Sequence, residues 1–342
     1  MPRWVLKILL LRPFVRIARW VSDKLDALLA ADFQARFVDA GAPARREERL
    51  EELVGRTFRV ATPEEKQRFC AFVEDLERGD QHTIAYAEGI FEWQRSEILE
   101  HRGPLAGLRI LELGPGHTIA PGLLLYAHGA ARYVGADFFP IAGKNARIYR
   151  RVRRHLAERP PLAPHPDLAL ARAEALRRFD EAVDLAGEDA RFEGSKVEWR
   201  HPVDAARLPF EDRSFDIVIS NAAFEHFLEP EAAAREAMRV LGPGGVGIHQ
   251  IDLRDHRDFS RPLDFLRYEE EEWRRMNADM VCYTNRLRQK DFERAFAAAG
   301  TVELARVDQR APVTPEARAM FHARFRDRED LDALSVFFVV RK

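Results

Sequence analysis

The sequence predicts an α/β fold built around an open, mostly parallel β-sheet. From Leu108 onward, seven apolar runs rich in β-branched residues alternate with helical patterns, as strands do when crossover helices join them. A glycine turn follows the first of these runs directly. Apolar residues make up 46% and charged residues 32% of 342 positions, enough for a full core in one large domain or two modest ones.

Residues 1–105 read as a helical N-terminal region ahead of a sheet domain spanning 106–342. Arg3, Lys7, Arg12, Arg16 and Arg19 stand among Trp4, Leu6, Leu9, Phe14 and Trp20, with no acid between residues 3 and 19. The longest unbroken apolar run there, Ile8–Leu11, is far short of a membrane span or a signal-peptide core. Pro13 suits the first turn of a helix reaching about Leu29, with Val21, Leu25, Leu28 and Leu29 on one side. Packing of that helix on the protein's own core is the favoured reading. Peripheral contact of residues 3–29 with an anionic membrane surface is the alternative. Pro63-Glu64-Glu65 opens a further helix, and Ile84–Glu100 continues the helical pattern toward the first strand.

The expected strands are Leu108–Leu113, Ala131–Ala136, Lys196–His201, Phe215–Ser220, Val246–Ile251, Thr301–Val307 and Leu334–Val340. An irregular stretch with Pro312 and Pro315 separates the last two, which predicts a closing antiparallel pair. Two connections exceed what a crossover needs, 138–195 and 253–289. Loops at the carboxyl ends of strands build the sites of such sheets, so both insertions are candidate substrate-binding elements.

In Leu108-Arg-Ile-Leu-Glu112-Leu-Gly114-Pro-Gly116-His-Thr118 the glycines allow a tight turn and a close approach of ligand to backbone. A bare G-x-G does not identify the ligand, and the neighbours decide. The dinucleotide fingerprint wants a third glycine where Ile119 stands, and the phosphate-binding G-x-x-x-x-G-K-[ST] is absent. Glu112-x-Gly114-x-Gly116 instead resembles motif I of the class I S-adenosylmethionine (SAM) methyltransferases. Further landmarks follow in the family's order: Asp137 and Phe138 at the second strand's end, Asp204-Ala205, the strand Phe215–Asn221, and Arg239-Val-Leu-Gly-Pro-Gly-Gly245. The resemblance covers about residues 106–253. It implies a Rossmann-like seven-stranded sheet and SAM as cofactor. Glu112, Gly114, Gly116, Asp137, Phe138, Asp204, Ala205 and Asn221 would be its binding residues, with Asp137 on the ribose hydroxyls and Phe138 flanking adenine.

Methyl transfer to a hydroxyl needs a positioned acceptor and a general base. The loops after the fourth and fifth strands are where the resemblance places them. His226, in Asn221-Ala-Ala-Phe-Glu225-His226, is similar to the Glu-His pair of ubiquinone-type methyltransferases. It reads as a base, as a structural histidine, or as a metal ligand with Glu225. The family's metal version carries a further acid where this chain has Ala222, so no metal is expected. Asp252, Arg254, Asp255 and His256 concentrate ionisable groups at the fifth strand's end. A His256 oriented by Asp252 or Asp255 would be a base active near neutral pH. A salt-bridged capping cluster is the competing reading. His249, inside the strand, reads as buried. Trp273, Tyr283, Asn285, Arg286 and Arg288 read equally as an anion grip and as braces for the helix from Gln289. Lys144, Arg147, Arg150, Arg151, Arg153 and Arg154 read first as a solvated helix face, with anion binding as the alternative.

Exocyclic-amine methyltransferases resemble one another in an Asp/Asn-Pro-Pro-aromatic strand end, and Ser220-Asn-Ala-Ala-Phe lacks both prolines. The expected acceptor is therefore a small molecule methylated at oxygen: a glycan, a lipid-linked intermediate or a secondary metabolite. A regulatory or scaffold protein that binds SAM without catalysis is the alternative. A formal charge of -2 disfavours nucleic acid as partner. Cys70 and Cys282 cannot build a disulfide framework or a four-ligand zinc site, and they fit a reducing, cytoplasmic setting. Oligomeric state is not encoded in any feature of the sequence.

Overall fold

The computed structural model describes residues 80–116, 118–138, 142, 145–158, 172–277 and 284–342. The expected helices at 13–29 and from Pro63, together with Lys144, Tyr283 and both cysteines, lie outside the described residues. Two compact units divide the chain, Met1–Arg78 with Phe265–Tyr283, and Gly79–Asp264 with Thr284–Lys342.

The second unit opens with α1 (Asp80–His101), the helix expected over Ile84–Glu100. Its sheet comprises β1 (Arg109–Leu113), β2 (Arg132–Ala136), β3 (Val197–Arg200), β4 (Phe215–Asn221), β5 (Leu241–Asp252), β6 (Thr301–Arg310) and β7 (Ala333–Arg341). The spatial order is β3-β2-β1-β4-β5-β7-β6, parallel except for the antiparallel pairs of β7 with β5 and β6. This is the Rossmann-like methyltransferase sheet that the resemblance implies. β1 and β2 are buried on four of five positions, which is why they read as continuous apolar runs instead of alternating ones. β5 begins five residues earlier than the pattern suggested, because the Gly-Pro-Gly-Gly segment pairs Leu241 with Phe215 before an irregularity restores register at Ile217–Val246.

Helices cover the sheet. α2 (Ala120–Ala127) is wholly buried behind the glycine turn. The connection 138–195 supplies α3 (Ala146–Glu158), α4 (Arg172–Ala182) and a ribbon pairing Val183–Asp184 with Arg191–Phe192. Tyr149, Val152 and Phe179 sink from these helices into the same core as Ile110 and Leu123. The outer arginines are partly engaged: Arg150 donates to the carbonyls of Leu185 and Gly187, and Arg153 pairs with Asp180. On the other face, α5 (Pro230–Val240) buries Ala233, Ala234 and Ala237 in a core shared with Phe292 and Phe296.

In the first unit, α6 (Glu270–Asn277) places Trp273 edge-on to Phe265, with ring centroids 5.6 Å apart, and over Tyr268. No helix among the described residues is long and apolar enough to cross a membrane.

Arg288 precedes α7 (Gln289–Ala299) and is fully buried. Its guanidinium donates to Leu253 O at 2.5 Å, to Leu331 O at 3.1 Å and to Ala333 O. Burial, helped by the Arg328 charge and opposed by Asp330, Asp291 and Asp332, pulls its pKa down to about 10, so it stays charged at neutral pH. Arg288 therefore braces the carboxyl end of β5 against the entry to β7. Replacing it with Met leaves three carbonyls without their donor, so Arg288→Met should lose about 3 kcal/mol or more of stability in urea denaturation.

Candidate active site

The site forms where β1, β2, β4 and β5 end side by side. Gly114 and Gly116 have φ of +68° and +70°, the left-handed region that glycine occupies without steric cost. Their surroundings differ. A Cβ on Gly114 would lie 2.8 Å from Ala223 Cβ, so the loop after β4 rests directly on the turn. A Cβ on Gly116 would meet nothing within 4 Å. One glycine permits packing and the other leaves an open cradle, which fits a cofactor laid against the backbone.

Glu112 lies beneath that turn, almost wholly buried. Gln94 of α1 donates to its Oε1 at 2.7 Å, and Tyr133 of β2 donates to its Oε2 at 2.5 Å. Burial pushes the carboxyl up to about 7, against the pull of both hydrogen bonds. Asp137 is half-buried at the end of β2, with Phe138 beside it. Its backbone N–H donates to Arg200 O and its carbonyl accepts from Val203 N, which brings the Asp204–Ala205 turn alongside. Asp204 closes that turn by accepting from Ala206 N, leaving Ala205 half-buried. Asn221 ends β4 opposite Gln250.

After Asn221 the chain turns through Ala222, whose φ of +49° is uncommon for a residue with a side chain. Gln250 holds it there: Ala222 N donates to both Gln250 O and Gln250 Oε1, and Gln250 Nε2 donates to Ser335. The short 3-10 turn Phe224–His226 follows. Asn285 clamps this turn, donating through its backbone to Glu225 O and through Nδ2 to Phe224 O and Phe227 O. Of the two readings of this segment, the geometry favours bracing for Asn285 and Arg288. Arg286 is likewise buried, its guanidinium over the ring of Phe325. Gln94 and Gln250 act on the site without any local motif that marks them.

The two histidines come together. His226 and His256 meet edge to face, with ring centroids 4.9 Å apart. His256 Nε2 stands 3.5 Å from Asp252 Oδ2. Asp255 is turned away from the imidazole and chelated by Arg257 at 2.6 Å, so Asp252 is the partner of His256. Burial works against the charge on Asp252, but hydrogen bonds from Arg254 together with His256 overcome it and hold the carboxyl low. Glu225 is also buried, and its Oε1 accepts from Asp252 N at 3.1 Å. Desolvation raises its pKa well above the usual carboxylate range. Glu225, His226 and His256 each offer a ligand atom within 4.8 Å of the others, a grouping that could hold a divalent cation. His249 is buried as expected, bonded through Nδ1 to Ser220 and stacked on Phe296, with its pKa depressed to about 3 by burial.

The family model described as a methyltransferase domain matches residues 172–248. A demethylmenaquinone methyltransferase of Clavibacter sepedonicus is 43% identical over 61 residues, 18% of this chain and 22% of the relative. The chain thus matches about a fifth of the length of that curated relative. An S-adenosylmethionine-dependent methyltransferase from Mesorhizobium loti superposes with a TM-score of 0.40 at 17% identity, covering 75% of this chain and 100% of that one. Geranyl diphosphate C-methyltransferase from Streptomyces coelicolor superposes with a TM-score of 0.39 at 15% identity, covering 73% and 77%.

The Glu112 carboxyl has a folded pKa raised from 4.5 to about 7, so its stabilising protonated form is complete below 4.5 and lost as pH rises through 7. Glu112→Gln removes that titration. Its stability relative to the parent should improve by about 2 kcal/mol between pH 5 and pH 8, as read from urea midpoints at the two pH values.

Proposed function

We propose that this chain, which carries a methyltransferase domain on the class I sheet, transfers the methyl group of SAM to a hydroxyl of a small molecule. The observation that carries the reading is that the glycine cradle, Asp137 and His256, which stands 3.5 Å from Asp252, all follow the carboxyl ends of adjacent parallel strands. Gly114 and Gly116 would let the cofactor lie against the backbone, and Asp137 would accept hydrogen bonds from its ribose. Phe138 and the Asp204–Ala205 turn would flank the adenine.

SAM supplies an activated methyl group on a sulfonium. As that group moved to the acceptor oxygen and the carbon–sulfur bonding pair stayed on sulfur, His256 would take the hydroxyl proton. With Nε2 of His256 turned toward Asp252, its Nδ1 lone pair is the one left for the proton. Asp252, ionised and locked by Arg254, then stabilises the imidazolium. His226, packed against that ring, excludes water and orients the acceptor. Glu225, whose Oε1 accepts from Asp252 N, fixes the backbone of Asp252. No step runs through a metal.

Asp137→Ala removes an anionic acceptor of two hydroxyl hydrogen bonds, so SAM affinity measured by calorimetry should fall by about 2–4 kcal/mol. Unchanged affinity would contradict the cofactor assignment. His256→Ala should lower turnover at least about a hundredfold with SAM affinity kept, whereas His226→Ala should lose less. The reverse order places the base on the loop after β4. SAM binding with no release of the demethylated product from any acceptor would favour a regulatory binder.

A further inference from the structure

A second cluster of metal-ligating side chains lies outside the site described above, at the carboxyl end of α1. Glu97, Glu100 and His101 each offer a ligand atom within 4.8 Å of the others. Glu97 is only 8% exposed. Its Oε2 and the Nε2 of His101 are both buried without a hydrogen-bond partner, and they face each other at 3.4 Å. An N–H···O hydrogen bond spans only about 2.7–3.2 Å. The gap instead matches the edge of a tetrahedron, about 3.3 Å, whose nitrogen and oxygen both lie about 2.0 Å from one zinc ion. Glu100 Oε1 stands 4.0 Å from the same Nε2, and its side chain, 70% exposed, has room to close on the third position.

The surroundings suit a cation. Arg306 of β6 donates to the other oxygen of Glu97 at 3.1 Å, the kind of outer hydrogen bond that orients a ligating carboxylate. Arg306 is itself held by Asp308 and lies over the Phe337 ring at 3.9 Å from its centroid. Glu97 and His101 are four residues apart on a helix, so both reach the same face. They stand in the last turn, where the carbonyls of a helix gather partial negative charge. One imidazole nitrogen with two carboxylates selects zinc over magnesium or calcium, which take oxygen ligands.

We infer that the end of α1 is a structural zinc site, with Glu97 Oε2, His101 Nε2 and a carboxylate oxygen of Glu100 as ligands and water in the fourth position. Through Glu97 the ion is tied to Arg306 of β6, and His101 O accepts from Arg341 of β7 at 2.8 Å. Zinc therefore fastens the end of α1 to the sheet. Gln94, one turn earlier on α1, holds Glu112 beneath the glycine turn. The site is independent of the methyl-transfer reading.

The test is calorimetric titration of zinc into the metal-free full chain carrying His256→Ala, which removes a ligand of the Glu225–His226–His256 grouping. One equivalent should bind with a Kd of about 10 μM or tighter, and a hundredfold excess of magnesium, roughly, should not displace it. Adding His101→Ala should weaken zinc at least about a hundredfold, and adding Glu100→Gln at least about tenfold. Glu100 is exposed, so its substitution spares the fold and a loss of affinity there cannot come from unfolding. Zinc should also raise the urea midpoint of the His256→Ala chain and leave that of the chain with His101→Ala unmoved. Absence of saturable zinc binding, displacement by magnesium, or indifference of zinc affinity to either added substitution overturns the inference.

Discussion

The site depends on one close approach, that of the loop after β4 to the glycine turn after β1. The space between Gly114 and Ala223 is too small for a single methyl group. Any side chain at 114 would have to push the loop away and also adopt a positive φ. That loop carries Glu225 and His226, so the spacing that admits no Cβ also fixes where the histidine pair stands relative to the cofactor turn. The left-handed Ala222 is the cost of bringing the chain back over the turn, and Gln250 supplies the compensating hydrogen bonds.

A second level of support keeps the polar groups from collapsing into one another. Arg254 holds the Asp252 carboxyl low, whereas burial pushes that of Glu225 well above the usual carboxylate range. The two carboxyls are thus shifted in opposite directions, and the imidazole of His256 faces the lowered one. Arg288 and Asn285 tie this arrangement to the backbone of β5, β7 and the histidine turn.

The strands and the glycine turn were legible because their signals are local. The run Arg109–Leu113, the glycines behind it and Asp137 at the end of β2 stand within a few residues of the elements they define. Asn285 and Arg288 stood out as candidate braces, but what each brace holds was not legible. Gln94 meets Glu112 across 18 positions, Gln250 meets Ala222 across 28, and Asn285 meets Phe224 across 61. No short pattern marks such a contact, since it exists only once the strand order is set. Asp255 illustrates the same limit: from sequence it was as good a partner for His256 as Asp252, and only the turn of the chain gives it to Arg257. Phe179 shows how an oversized connection can hide a core helix, because its flanking arginines dominate the composition.

The central claim is that cofactor turn and histidine pair form one site. A structure of the protein bound to S-adenosylhomocysteine tests it most directly. The account predicts the ribose hydroxyls on Asp137 and the sulfur opening toward His226 and His256. A ligand seated away from Gly114 and Gly116, or one whose sulfur is walled off from both histidines, would contradict it.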